Sequence, residues 1–177
     1  MPKKLSYSSI ARIVFIIILA TIISGCDSPE NYVVVPTNDV TPPTVGMSIS
    51  QENNNTLISV NETSQPVTMH AVSNVVTFIS GASDNDGGIK EVSLWATVTY
   101  YKPGQIVGPG LVGAPIKNDV SNASVGESTL KNRFFLYNYD LKQERGSWSS
   151  IKVDAWTEGK NFYGGITRTP VVSIYYP

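Results

Sequence analysis

The chain reads as an all-β protein, an antiparallel β-sandwich, on three observations. From Thr44 onward, short segments rich in Val, Ile, Thr and Tyr alternate apolar with polar residues. Clusters of Gly, Pro, Asn and Asp separate these segments. No stretch after residue 26 sustains a helical period, and no repeat of 20 to 50 residues is visible. Many short strands with frequent turn signals at this length are what a two-layer sandwich needs to close one core.

Val45, Met47 and Ile49 alternate with polar partners and predict the first strand, with a turn at Asn53 to Asn55 and a short strand at Leu57 to Val60. Val67 to Ala71 and Asn74 to Ser80 follow with strand composition, until Asp84-Asn85-Asp86-Gly87-Gly88 breaks the chain. Val92, Leu94, Ala96, Val98 and Tyr100 then alternate with Ser93, Trp95, Thr97, Thr99 and Tyr101, the period of two of a long half-buried strand. Tyr101 to Ser128 holds three prolines and five glycines with brief apolar pieces, which predicts loops and short edge strands. Thr129 to Leu141 places Phe135, Tyr137, Tyr139 and Leu141 on one parity. Trp148 to Thr157 sets Ile151, Val153 and Ala155 against Lys152, Asp154 and Trp156, and after Gly164-Gly165 the strand composition of Ile166 to Tyr176 closes the chain.

The first residues follow other rules. Lys3, Lys4 and Arg12 precede eleven uncharged residues, Ile13 to Ile23, the charged and apolar regions of an export signal. As a helix those residues span about half of a roughly 30 Å hydrocarbon core, too little for a good permanent anchor. Ser24 and Gly25 then lead into Cys26, the only cysteine. Ile23-Ser24-Gly25-Cys26 resembles the lipobox of bacterial lipoproteins, an aliphatic residue, two small residues and cysteine. The resemblance implies cleavage after residue 25, acylation of Cys26 and attachment to a membrane of the cell envelope. In enterobacterial-type lipoproteins an aspartate after that cysteine favours retention at the inner membrane, and Asp27 holds the position; the outer membrane or the surface is the alternative. An ordinary signal peptide with an incidental cysteine, or an uncleaved anchor, is the competing reading of residues 1–26.

Residues 26–43 carry four prolines among polar residues and predict an extended tether, interrupted by an apolar patch at Tyr32 to Val35; the sandwich is expected over 44–177. Removing residues 1–25 leaves ten basic against fourteen acidic residues, a net charge of about −4, with no basic block to favour nucleic acid. One cysteine allows no intrachain disulfide, and one histidine, His70, allows no multi-histidine metal site. No nucleophile elbow or phosphate-cradling glycine motif occurs, so a non-catalytic protein is expected; carboxylates paired across strands are the route to hydrolysis that spacing does not reveal.

A second resemblance concerns the domain. Asp39-Val40-Thr41-Pro42-Pro43-Thr44-Val45 is similar to the opening of bacterial immunoglobulin-like domains, and Gly81-Ala82-Ser83-Asp84 with Gly88-Ile89-Lys90-Glu91-Val92 to the turn between their second and third strands. Ile151-Lys152-Val153-Asp154-Ala155, then Gly159-Lys160-Asn161, resembles their penultimate strand and its turn, with Thr157 where an aspartate is usual and a lysine between the Gly and the Asn. The resemblance implies an immunoglobulin-like sandwich and leaves adhesive, ligand-binding and spacer roles open.

Two sets of residues are candidates for binding. Asp84, Asn85 and Asp86 beside two glycines offer oxygen ligands for calcium, with Asp39 or Glu158 as recruits. Gly88 and Trp95 stand at the fifth and twelfth positions of an EF-hand count, which excludes that loop, and an ordinary Asx turn explains the same residues. The second set is aromatic. If Val92 to Val98 and Ile151 to Ala155 point to the core, then Trp95, Tyr101 and Trp156 share the outer face of neighbouring strands, with Tyr175 or Tyr176 beside them. That face suits a protein or a glycan. A bulge that turns one tryptophan inward, or a cover from the 102–128 loop, is the alternative. The expected function is therefore a lipid-anchored binding or adhesion module of the cell envelope, with a structural spacer or assembly subunit acting through sheet edges as the alternative.

Overall fold

The computed structural model describes residues 32–34, 41–52, 54–103, 110–120 and 128–177. The signal segment, Cys26, Asp27, Asp39 and most of the tether lie outside the described residues. The sandwich lies within Val33–Pro177.

The strands are β1 (Tyr32–Val34), β2 (Thr44–Gln51), β3 (Asn54–Asn61), β4 (Val67–His70), β5 (Val75–Ser83), β6 (Ile89–Tyr101), β7 (Leu111–Val112), β8 (Ile116–Val120), β9 (Ser128–Leu130), β10 (Asn132–Asp140), β11 (Ser150–Asn161), β12 (Ile166–Arg168) and β13 (Val172–Tyr176). A single helical turn, α1 (Leu141–Arg145), joins β10 to β11. One sheet has the order β10-β5-β2-β3, and the other runs β4-β13-β11-β6, with β7 and β8 on the outer edge of β6 and β12 beside β11. A separate two-stranded ladder joins β1 to β9. The chain is an all-β sandwich. Its strand order sets β2, β5 and β10 against β6, β11 and β13, as an immunoglobulin arrangement sets its A, B and E strands against C, F and G.

Alternation builds the core. Met47 and Ile49 of β2, Val76 and Phe78 of β5, Leu94, Ala96 and Val98 of β6, and Ile151, Val153 and Ala155 of β11 form one buried cluster with Val172 and Ile174. Each such large aliphatic or aromatic side chain contributes about 1.5–3 kcal/mol on burial. A smaller cluster of Val45, Ala82, Ile89 and Val92 closes one end. There Gly159 lets β11 meet the facing sheet: a Cβ on it would lie 2.6 Å from Val45 Cγ1 and 2.8 Å from Ala82 Cβ. Beside it the core holds a polar bridge, Thr157 Oγ1 to Ser80 Oγ at 2.8 Å, joining the two sheets. Strand β2 starts at this end, and β13 finishes at the opposite one, where Tyr176 pairs with Ile151.

Two features depart from the sequence expectation. The sequence predicts an antiparallel sandwich, and within it the pair β4 and β13 is parallel. After β3 the chain crosses to the other sheet for β4 and then returns for β5, and the return is held by the buried Gln51, whose Oε1 accepts the N–H groups of Val72 and Ser73. Leu141, expected to end a strand, instead opens α1: the Asp140 carboxylate accepts the Gln143 N–H at 2.8 Å as an N-cap, and Gly146 with φ of 53° ends the turn. Leu141 is still buried, so the core takes it from a helix rather than a strand.

Candidate functional site

Strands β6 and β11 pair over most of their length, and their register sets Trp95 directly opposite Trp156. Both project outward, because their neighbours Leu94, Ala96, Ala155 and Thr157 are buried. The two indoles stack with planes 3° apart and centroids 6.1 Å apart. A stacked pair of this kind contributes about 0.5–1.5 kcal/mol beyond its burial. Neither ring is fully exposed, and both indole N–H groups are buried without a hydrogen-bond partner among the described residues.

Charged groups frame the pair. Strand β8 places Lys117 opposite Trp95 from the other flank of β6, with its ammonium 5.5 Å from the Trp95 ring centroid and 2.8 Å from Glu91 Oε1. Ser93 donates to the same oxygen at 2.7 Å. Arg168 of β12 donates to Glu158 at 2.6 Å. On the other side Asp154 accepts from Ser173 at 2.6 Å and pairs with Lys152 at 2.7 Å, and that hydrogen bond holds the Lys152 pKa above its usual value. The segment Tyr101 to Ser128, expected to form loops and short edge strands, supplies in β8 an edge strand that flanks the aromatic face and a cation that caps one tryptophan.

Two expected members of the face are placed elsewhere. Tyr101 has the outward parity, but it is 6% exposed. Gly110 lies on it so closely that a Cβ there would come within 3.3 Å of Tyr101 Cε1 and 2.6 Å of Thr99 Cγ2. Tyr101 is therefore packed under the chain entering β7 and offers no free ring. Tyr175 does point outward, but it pairs with Lys152, four residues from Trp156 along β11, or about 13 Å. Its ring neighbour is His70, 5.5 Å away at the end of β4. Tyr176 turns inward and is buried.

The acidic turn is built as a turn. Asp84 is buried and its Oδ1 accepts the N–H groups of Asp86 and Gly87, while Asn85 and Asp86 are exposed and Gly88 takes φ of 67°. Glu158 is held by Arg168. No group of three His, Cys, Asp or Glu residues suited to a metal ion occurs among the described residues.

One cluster escaped the sequence. Tyr100 donates its hydroxyl to Glu144 of α1 and lies 5.6 Å from Trp148, while Tyr139 and Tyr137 stand nearby with centroids 6.1 Å apart. Burial, then Glu144, pushes the Tyr100 pKa up to about 12. Only the aromatic parity of Tyr137 and Tyr139 hinted at it. No family model matches this chain, and no curated protein matches it.

Proposed function

We propose that this protein is a lipid-anchored lipoprotein of the bacterial cell envelope whose immunoglobulin-like sandwich is a non-catalytic binding or adhesion module for a protein or glycan. The anchor rests on the lipobox-like residues ending in Cys26. The binding role rests on one observation, the Trp95–Trp156 stack on the outer face of β6 and β11. A solvated sheet face needs no such pair. The test is capture from envelope extract by the full chain and by Trp95→Ala and Trp156→Ala variants, after circular dichroism shows that all fold. Loss of the wild-type partner by both variants supports the reading; equal capture by all three removes the tryptophan face from it.

A second reading has its own observation. Among the described strands β10 has a neighbour in its sheet on one side only, and its Leu136 is 52% exposed, so this edge suits an assembly subunit joined strand to strand. In that case Leu136→Lys abolishes oligomers in light scattering, while the tryptophan variants assemble normally.

A further inference from the structure

The turn between β11 and β12 is built around one side chain. Asn161 is 0% exposed, and its Oδ1 accepts the N–H groups of Tyr163 and Gly165 at 3.1 and 2.7 Å, while its backbone N–H donates to the Gly165 carbonyl. Gly164, with φ of 89°, closes the tip. The turn carries Tyr163, 38% exposed, and Ile166, 47% exposed, two of the large apolar side chains that the sandwich leaves to solvent. Ile166 pairs across the ladder with Lys160, which has no ion-pair partner among the described residues.

The same asparagine holds the end of the tether. Its Nδ2 donates to the Thr41 carbonyl at 2.8 Å, and the buried Pro43 sits beside Gly159, where a Cβ would lie 3.6 Å from the Pro43 Cγ. The tether therefore enters the sandwich at this turn. A second tie lies at the same end. Val33 belongs to β1, whose partner β9 is joined by Lys131 to Asn132, and Asn132 pairs with Ser83 just before the Asp84 turn. Seven residues lead from Cys26 to Val33, a reach of no more than about 25 Å. Strand β11, with its 12 residues, is about 40 Å long.

We propose that Tyr163 and Ile166 rest in the interfacial layer of the phospholipid bilayer that carries the anchor. The proposal rests on the reading of Cys26 as the acylated residue. An acyl chain there keeps the Thr41 end of the sandwich close to the bilayer and leaves the opposite end, where Ser149 donates to the Tyr101 carbonyl, in water. Tethering makes the contact an intramolecular event, so two side chains suffice where a free domain would not bind. A tyrosine has an apolar ring and a polar tip, and a lysine lays its stem on apolar surface with its ammonium toward phosphate, so Tyr163 and Lys160 suit that layer. Asp86 is exposed at this end, and Glu62 accepts the Val45 N–H there; these carboxylates disfavour a strongly anionic surface, so the partner is zwitterionic phospholipid. With this end on the bilayer, the tryptophan face of β6 and β11 stays open to its own partner.

The test is NMR of the perdeuterated chain, acylated at Cys26, in phosphatidylcholine nanodiscs, with saturation of the lipid acyl-chain protons. It is repeated on the Tyr163→Ser, Ile166→Ser double variant once circular dichroism shows that it folds, and mass spectrometry reads the acyl group in both. Amide signals of Tyr163 to Thr167 are expected to lose intensity on saturation, those of Gly146 to Ser149 at the opposite end to keep it, and the double variant to lose most of the effect. A chain without an acyl group on Cys26 removes the anchor reading and this contact together. With the acyl group present, no transfer to the turn, transfer mainly to Trp95 and Trp156, or an undiminished effect in the folded variant overturns the contact and leaves the anchor standing.

Discussion

The bridge between Ser80 and Thr157 gives a sharp test of how the two sheets are held together. Both residues are 0% exposed, their oxygens are 2.8 Å apart, and they come from facing sheets. Thr157→Val keeps the side-chain shape and removes the donor, so the Ser80 hydroxyl stays buried with its partner gone. Leaving such a group unsatisfied costs about 1–3 kcal/mol, and a value near the middle, about 2 kcal/mol, is expected. Ser80→Ala strands the Thr157 hydroxyl and costs a similar amount. The double variant removes both polar groups together and is expected to be no less stable than the worse single variant, a non-additivity of at least about 1.5 kcal/mol. For a domain of this size each single change lowers Tm by about 6–8 °C. Urea unfolding followed by tryptophan fluorescence and circular dichroism measures all four corners of the cycle. Costs that simply add, with a coupling below about 0.4 kcal/mol, would refute the bridge as a unit.

Gly159→Ala forces a methyl against Val45 and Ala82, and overpacking of this kind costs about 1–3 kcal/mol, seen as a lower urea midpoint at unchanged slope. Trp95→Ala and Trp156→Ala each lose the stacking contribution and are expected to lower stability by about 1–2 kcal/mol while leaving the far-ultraviolet spectrum intact. The Tyr100 phenol keeps its proton to about pH 12 in the folded chain against an ordinary value of 10.0, so its contribution to stability is complete below pH 10 and is lost as pH rises through the folded value. Urea midpoints should therefore fall between pH 10 and 12, and less so for Tyr100→Phe; a midpoint that rises over this interval contradicts the assignment. Glu144→Gln removes the hydrogen bond and charge that help raise that pKa, so absorbance at 295 nm should show one phenol titrating at lower pH.

Much of the site's frame was legible because it depends on alternation alone. Val92 to Val98 and Ile151 to Ala155 declare an inner face, and the outward tryptophans follow from parity. What alternation leaves open is register and cover. Tyr175 lies about 13 Å from Trp156 because β13 pairs with the first half of β11, a choice of register that the residues of β13 do not encode by themselves. Tyr101 is hidden by Gly110, nine residues later in a segment whose apolar residues are too scattered to announce a packed cover. The Tyr100–Glu144 contact spans 44 positions, and α1 is masked because Leu141 continues the parity of Phe135, Tyr137 and Tyr139.

The placement of β2 and β13 has a mechanical consequence. The first begins at the Gly159 end of the sandwich and the last finishes at the Ile151 end, so tension applied between those points runs along the strands. Strand β13 is then dragged lengthwise against both β11 and the parallel β4, and β2 against β5 and β3. Hydrogen bonds perpendicular to the pull share such a load and break together, whereas a pull across the sheet would open them one at a time. The same contacts therefore yield at a higher force in this direction than in the other, and the rate of forced unfolding follows the barrier set by those ladders rather than the total stability of the domain.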